Sequence, residues 1–257
     1  MECNIKVVED KENKIYNLYD ENDNKIIIPE SIAIILDGNG RYAEKHNMNR
    51  ALGHKAGCET LEVILEECVK IGVKCLTVYA FSTENWKRSE EEINALFKLF
   101  FLYLGKIEKK ATENNVKIKF IGDIKKFPEE LYKECLRLME ITKDNNRLIF
   151  QIAFNYGGRD EIIRAIKKMN DEKFDFSKIT ENDLSMHLDT YGTKDPDLLI
   201  RTSGEIRLSN FLLWQVAYTE IYITEKLWPE FTVDELYKAI LNFNKRDRRF
   251  GGRKNAK

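Results

Sequence analysis

The 257-residue chain sets 42 Lys and Arg against 43 Asp and Glu, a net charge of -1, so the footprint of a general nucleic-acid binder is missing and any polyanion must be held by a local cluster. Hydrophobic residues at 43% suffice for a core, and 13 Gly with 4 Pro are too few for a repetitive or linker-rich chain. No apolar run approaches the roughly 18 residues of a spanning helix, and five Cys without C-x-x-C spacing argue for free buried thiols in a cytoplasmic protein rather than a disulfide framework or zinc site.

Residues 1–28 carry four Lys against seven Asp or Glu and no apolar core, so they read as a charged, poorly ordered arm and not as a targeting signal. Within the arm, 14–18 and 25–28 could add edge strands. A single domain is expected over 29–257. Its first strand, 31–36, runs into Asp37-Gly38-Asn39-Gly40-Arg41-Tyr42. A Gly-rich turn entering a helix presents free N–H groups to an anion, although the spacing is neither that of a Walker loop nor G-x-G-x-x-G, and a plain strand-to-helix turn is the alternative. Asp37 could simply cap the helix. Beside a phosphate cradle, however, a carboxylate is repelled unless a cation such as Mg²⁺ lies between. Arg50 and His54 follow, a fork and a donor able to reach back over the cradle from a helix over 54–71 that Gly72 ends.

A second strand, 73–81, leads into Tyr79-Ala80-Phe81-Ser82-Thr83-Glu84-Asn85-Trp86-Lys87-Arg88, a mixture of polar groups, aromatics and Arg that suits an active-site loop. Ser89 and Glu92 form a capping box for a helix over 90–114. Its segment 96–104 is apolar nearly all round, which requires cover on more than one side: core or subunit packing by default, or an apolar channel for a lipid-like ligand. Phe97, Phe100, Phe101 and Leu148 are candidates for its walls or floor. Strands at 116–121, 147–154, 198–201 and 220–224 alternate with helices at 129–142, 160–170 and 233–245. The regular alternation predicts an α/β fold with a central six-stranded, mostly parallel sheet flanked by helices on both faces. The strand at 198–201 ends in Arg201, and Thr202, Ser203, Gly204, Arg207, Leu208, Ser209 and Asn210 follow. With 13 Arg against 29 Lys in the chain, the gathering of Arg41, Arg50, Arg88, Arg201 and Arg207 in three strand-end loops points to recognition of phosphoryl groups. The end of the chain, 245–257, is basic.

The segments beginning Asp37-Gly38-Asn39-Gly40-Arg41, Gly53-His54-Lys55, Tyr79-Ala80-Phe81-Ser82, Asn155-Tyr156-Gly157-Gly158-Arg159, Asp195-Pro196-Asp197 and Arg207-Leu208-Ser209-Asn210 occur in the order found in the cis-prenyltransferases. From about Pro29 to Gly252 the chain resembles that family, which includes the bacterial undecaprenyl diphosphate synthases. The resemblance implies repeated condensation of isopentenyl diphosphate onto an allylic diphosphate such as farnesyl diphosphate. Each new double bond is cis, and the long-chain product, of the undecaprenyl type that serves as a cell-wall lipid carrier, grows in an apolar tunnel. It implies Asp37 as the Mg²⁺ ligand and essential acid, with Glu220 as a second ligand. Gly38, Asn39, Gly40, Arg41, Tyr42, Arg50 and His54 would hold the allylic diphosphate. Ser82, Thr83, Glu84, Trp86 and Arg88 would contact substrate, and Arg201, Arg207, Leu208 and Ser209 would bind isopentenyl diphosphate. Asn85 is the family's position for proton abstraction; since an amide is barely basic, it is better read as an orienting group, with a diphosphate oxygen or water taking the proton. Tyr42 stands where many bacterial members have Trp. The ending Arg246 to Gly252 resembles homodimeric members, so a cytoplasmic homodimer with transient membrane contact for product release is expected.

Among rival readings, a haloacid-type phosphatase needs D-x-D, and position 35 is Ile35. A catalytically silent partner subunit should lack Asp37 and the Arg201–Arg207 pair. Trans-type prenyl synthases need D-D-x-x-D, which does not occur.

Overall fold

The computed structural model describes residues 4–248, so Cys3 and the basic positions from Arg249 onward lie outside the described residues. The chain enters through an antiparallel hairpin, β1 (Lys6–Asp10) and β2 (Ile15–Tyr19), where sequence reading expected a poorly ordered arm. The hairpin forms a separate two-stranded sheet and adds no edge to the central one. Leu18 and Ile26 anchor it by entering the main core.

The order then runs β3 (Ser31–Ile35), α1 (Asn39–Lys45), α2 (Arg50–Lys70), β4 (Cys75–Ser82), α3 (Glu90–Glu113), β5 (Val116–Ile121), α4 (Glu129–Ile141) and β6 (Leu148–Tyr156). It continues through α5 (Gly158–Asp171), α6 (Glu181–His187), β7 (Leu198–Arg201), β8 (Glu220–Ile223) and α7 (Val233–Asn244). The six central strands lie in the order β5-β6-β4-β3-β7-β8 and all pair in parallel. Every residue of β3 is buried, as expected for a parallel strand covered on both faces. Its alternation sorts the two sides. Ile32 and Ile34 join the large core with α2, α3, α4 and α7, while Ala33 and Ile35 join a smaller cluster closed by Phe211 and Leu212. Beyond that cluster, α5 and α6 pack on each other through Ala165, Met169, Leu184 and Leu188.

Chain order reverses at β3, which has β4 on one side and β7 on the other. The crevice outside the carboxyl end of such a switch point is where open α/β sheets take ligands, and Asp37 stands there.

Candidate active site

Gly38 turns β3 into α1 in a left-handed conformation, φ 108°, with no side-chain cap and no acid in the first turn of the helix. A Cβ at Gly38 would lie 2.3 Å from Ser203 Oγ, so only glycine fits. The first-turn N–H groups of α1 therefore have no side-chain cap of their own, the arrangement that can accept an anion. α1 is held against α2 through two further glycines. A Cβ would meet Asn39 O at 2.2 Å from Gly53 and Asn39 Oδ1 at 2.1 Å from Gly57. The fully buried Trp228 locks the same corner: its indole donates to Gly57 O at 2.7 Å, and its backbone N–H donates to Asp37 O at 2.9 Å.

Asp37 is the hub. One carboxylate oxygen accepts from Arg201 Nη2 at 2.9 Å and the other from Arg41 Nη2 at 3.1 Å. Thr202 Oγ1 accepts from the Asp37 N–H and donates to its carbonyl at 2.6 Å. Arg201, only 3% exposed, also donates to Ser209 Oγ at 2.8 Å and to the Arg207 carbonyl, while its Nε is buried without a partner. The remaining arginines each rest on an acid: Arg207 and Arg41 on Glu205, Arg88 on Glu92 at 3.1 Å, and Arg50 on Glu92 at 3.5 Å and Glu44 at 3.4 Å. Exposed pairs of this kind contribute about 0–1 kcal/mol, so a diphosphate can replace the acid at little cost.

Asp37, Asn39, His54, Ser82, Asn85, Arg88, Arg201 and Arg207 line one end of a single cavity of about 350 Å³, the size of a small-molecule site. Its interior is apolar, walled by Leu61, Leu65, Leu96, Leu99, Phe100 and Leu104. Phe100 is thus in the wall, but Phe101 is 47% exposed and Leu148 is sealed in the core. Phe97 packs with Phe81, Trp86 and Phe127 outside the cavity. α3 is also less covered than expected, since Leu102 is 68% exposed.

Burial, reinforced by the nearby Arg88 and Arg50, pushes the His54 imidazole down to about 4 despite the opposing Glu92 carboxylate, so it is neutral at pH 7 and offers one N–H. Asn85 accepts from the Ser82 N–H at 2.9 Å. That contact fixes the amide orientation and leaves its NH₂ as the free, donating side.

Other expected residues stand apart from the cavity. Tyr42 packs its ring at a tilt against His46, centroids 4.4 Å apart, Trp86 donates to Asn155 Oδ1 at 2.8 Å, and Leu208 packs on the smaller core cluster. Thr83 borders a neighbouring groove with Trp86 and Arg159, while Glu84 accepts from Asn210 at 3.0 Å. Arg50 is 60% exposed but lies over Gly40, within reach of the cradle. Glu220 stands apart from Asp37 within the chain. It pairs with Leu198, three positions before the level of Arg201 and Ile35, so it lies about 10 Å back along the strand direction from the end of the sheet that carries Asp37. The two carboxylates cannot share one ion within a chain. Glu92 and Trp228 were missed as site residues, and Thr202, named in the Arg201 cluster, turns out to hold the Asp37 backbone. Glu92 gave a signal, as half of the expected capping box: its N–H does reach Ser89 Oγ, but its carboxylate goes to the arginines.

Among the described residues no three His, Cys, Asp or Glu side chains converge on a metal site. Mg²⁺ does not need such a cage, since it keeps waters and takes one or two carboxylates plus substrate phosphates. Asp37, 26% exposed at the cavity mouth with the orphaned Asn39 Oδ1 in the same lining, fits that demand.

A family model described as "Putative undecaprenyl diphosphate synthase" matches residues 35–251. The chain belongs to this prenyltransferase family. An isoprenyl transferase of Clostridium perfringens is 49% identical over 88% of this chain and 90% of its own, and one from Fusobacterium nucleatum is 50% identical over 89% and 98%. Among solved structures, lavandulyl diphosphate synthase from Lavandula x intermedia, in complex with dimethylallyl diphosphate, superposes with a TM-score of 0.83 at 33% identity, covering 87% of this chain and 98% of its own. A "probable undecaprenyl diphosphate synthase" from Campylobacter jejuni gives 0.74 at 34% identity over 88% and 100%. The prenyltransferase is thus an enzyme that transfers prenyl groups. No helix among the described residues is long and apolar enough to cross a membrane.

Proposed function

We propose that this prenyltransferase repeatedly condenses isopentenyl diphosphate onto an allylic diphosphate, farnesyl diphosphate in the first round, with Mg²⁺ as cofactor. The product is a long-chain cis-polyprenyl diphosphate of the undecaprenyl type, suited to a cell-wall lipid carrier. One observation carries the reading: a single cavity joins an Asp37–Arg201 anion-binding mouth to an apolar interior, matching a ligand with a diphosphate head and a hydrocarbon tail.

In each cycle the bond between allylic C1 and its diphosphate oxygen breaks. C1 bonds to C4 of isopentenyl diphosphate, and a proton leaves C2 as the new double bond forms. Two diphosphates side by side repel, so the arginines must offset their charge before the carbons can meet. The N–H groups of Gly38 to Arg41, with Arg41, Arg50 and His54, hold the allylic head; Arg201, Arg207 and Ser209 hold the isopentenyl head. Asp37 keeps the two heads in register by orienting Arg41 on one side and Arg201 on the other. Mg²⁺, when bound at Asp37, supplies positive charge for the departing diphosphate. Asn85, with its oxygen committed to Ser82, orients substrate through its NH₂, and the released diphosphate or a water takes the proton. The apolar wall excludes water from the cationic allylic carbon.

A cytoplasmic homodimer that touches the membrane during product release accords with the basic chain end, although most of the segment from Arg246 to Gly252 lies outside the described residues. The test incubates purified protein with Mg²⁺, farnesyl diphosphate and labelled isopentenyl diphosphate. Extended polyprenyl diphosphates are expected; their absence from folded protein overturns the reading.

A further inference from the structure

The loop that carries Arg207 and Ser209 leaves β7, and the loop that carries Asn85 leaves β4. β3 runs between those two strands, so no ladder hydrogen bond ties one loop to the other. Asn210, outside the cavity lining, makes the tie. Its Nδ2 donates to Glu84 Oε1 at 3.0 Å, its Oδ1 accepts from the Arg159 N–H at 3.0 Å, and its carbonyl accepts from the Gly158 N–H at 2.6 Å. The first turn of α5 has no side-chain cap from Gly157 and is capped instead by this residue, 51 positions beyond Arg159. The fit is close: a Cβ at Gly157 would stand 2.7 Å from both Asn210 Nδ2 and Thr83 Oγ1. Asn210 takes its place at φ 63°, directly after Ser209 at φ 50°, and Asn is among the residues that enter the left-handed region most readily. The Tyr79 hydroxyl braces the same corner, 3.1 Å from the Tyr156 carbonyl and 3.3 Å from that of Ser209. One neighbour of the bridge, Ser209, grips Arg201, and the other, Asn85, faces the cavity.

We propose that Asn210 is a positioning residue for isopentenyl diphosphate: through its bond to Glu84 it fixes the spacing between the loop that takes the diphosphate head and the loop that carries Asn85. The proposal rests on the prenyl-transfer reading of the cavity. Isopentenyl diphosphate is short, so a head seated on Arg201, Arg207 and Ser209 leaves its carbons little freedom, and the Asn85 loop must come to them. Reacting atoms must meet within about 3–3.5 Å, and a misplacement of about 1 Å can cost about 10²-fold in rate. An amide held by a carboxylate is a charge-assisted bond with a defined direction, suited to setting such a distance. The allylic head rests on α1, Arg50 and His54, which the bridge does not touch, so the effect belongs to one substrate.

The test is a double-variant cycle in the full-length protein with Mg²⁺, farnesyl diphosphate and labelled isopentenyl diphosphate. Asn210→Asp keeps the side-chain shape, the left-handed backbone and the Oδ1 cap on α5, but sets a second carboxylate against Glu84. KM for isopentenyl diphosphate should rise about tenfold and kcat fall about threefold or more, with KM for farnesyl diphosphate unchanged within about twofold. Adding Glu84→Gln exchanges donor and acceptor, since the glutamine amide can donate to the new carboxylate. The Asn210→Asp/Glu84→Gln protein should therefore recover both constants to within about threefold of wild type, a rescue that a merely structural role of Asn210 would not give. Melting curves establish that each protein is folded at the assay temperature. A wild-type KM for isopentenyl diphosphate in the single variant overturns the positioning role, and so does a defect that Glu84→Gln fails to relieve. Wild-type protein that condenses nothing overturns the prenyl-transfer reading, whereas active wild type beside an unaffected variant overturns the positioning role alone.

Discussion

Asp37→Ala removes the acceptor shared by Arg41 and Arg201, yet Arg201 keeps the Arg207 carbonyl and Ser209 Oγ. The fold should survive with a loss of about 1–3 kcal/mol, while turnover falls by at least about 10²-fold, the scale of losing one preorganised charge-stabilising group. Steady-state kinetics beside urea unfolding separate the two effects, and retained turnover would remove Asp37 from the centre of the mechanism. His54 makes a pH prediction. Its folded value, about 4, lies below the unfolded 6.5, so between these values the unfolded chain binds more protons and stability falls as pH falls. From pH 7 to pH 5 its share of the loss is at most about 2 kcal/mol. Urea unfolding of wild type and His54→Gln at both pH values should show the variant losing less; equal losses would mean the imidazole is not kept neutral by its surroundings. The mouth itself was legible in the sequence because its residues bunch at strand ends and use Arg in a chain that otherwise prefers Lys. Trp228 and the part played by Thr202 were not, since both act through backbone contacts with Asp37 that no side-chain spacing records. The separation of Glu220 from Asp37 was not legible either, since only strand register shows that Glu220 lies at the amino end of β8.

Glycines at helix contacts give a paired prediction at the scale of elements. Gly57→Ala would put a methyl 2.1 Å from Asn39 Oδ1 and 2.9 Å from Trp228 Cδ1, forcing α1 and its anion-binding end away from α2. A cost of about 1–3 kcal/mol is expected, with a raised KM for the allylic diphosphate. Gly105→Ala, in the middle of α3 with nothing within 4 Å of its new methyl, should instead stabilise by about 0.5–1 kcal/mol and leave KM alone. Thermal melts and KM for both variants check the pair; a Gly57→Ala protein with wild-type KM would mean that the seating of α1 does not govern substrate binding. The same scale explains what sequence patterns could reveal. The inner parallel strands were legible because burial on both faces makes them continuous apolar runs, the edge strands from β-branched and aromatic content, and α2, α3, α4, α5 and α7 because they are long enough to carry capping and periodicity signals. α1 and α6, seven residues each, are too short for a periodic pattern to stand out. The 203–212 loop hides its conformation differently, placing Ser203, Ser209, Asn210 and Leu212 at positive φ, where tertiary contacts override local preference.

At the scale of the whole molecule, the N-terminal hairpin lies before the start of the family match at residue 35, yet it is bound into the core. Leu18 is fully buried, the Arg147 guanidinium reaches back to the carbonyls of Asn13 and Lys14, and Ile15 packs over Gly72 behind α2. Asn244 closes the other side, exchanging two 2.8 Å hydrogen bonds with the backbone of Ile27. Sequence composition points to a loose arm because its many charges hide two apolar anchors, Leu18 and Ile26, behind a mostly exposed β1. Gly72 and Arg147 precede β4 and β6, so the hairpin sits at the amino ends of the strands, away from the Asp37 mouth at their carboxyl ends. Stability and chemistry should therefore separate. Leu18→Ala should cost about 2–5 kcal/mol, the range for emptying a buried leucine site, and lower the melting temperature accordingly. The protein that remains folded at 25 °C should retain wild-type KM for both diphosphates and wild-type turnover per folded molecule. Melting curves paired with active-site-normalised kinetics decide the matter: a variant that melts early yet works normally assigns the hairpin to the scaffold, whereas a changed KM in fully folded protein would mean that packing at the amino ends of the strands reaches the substrate site.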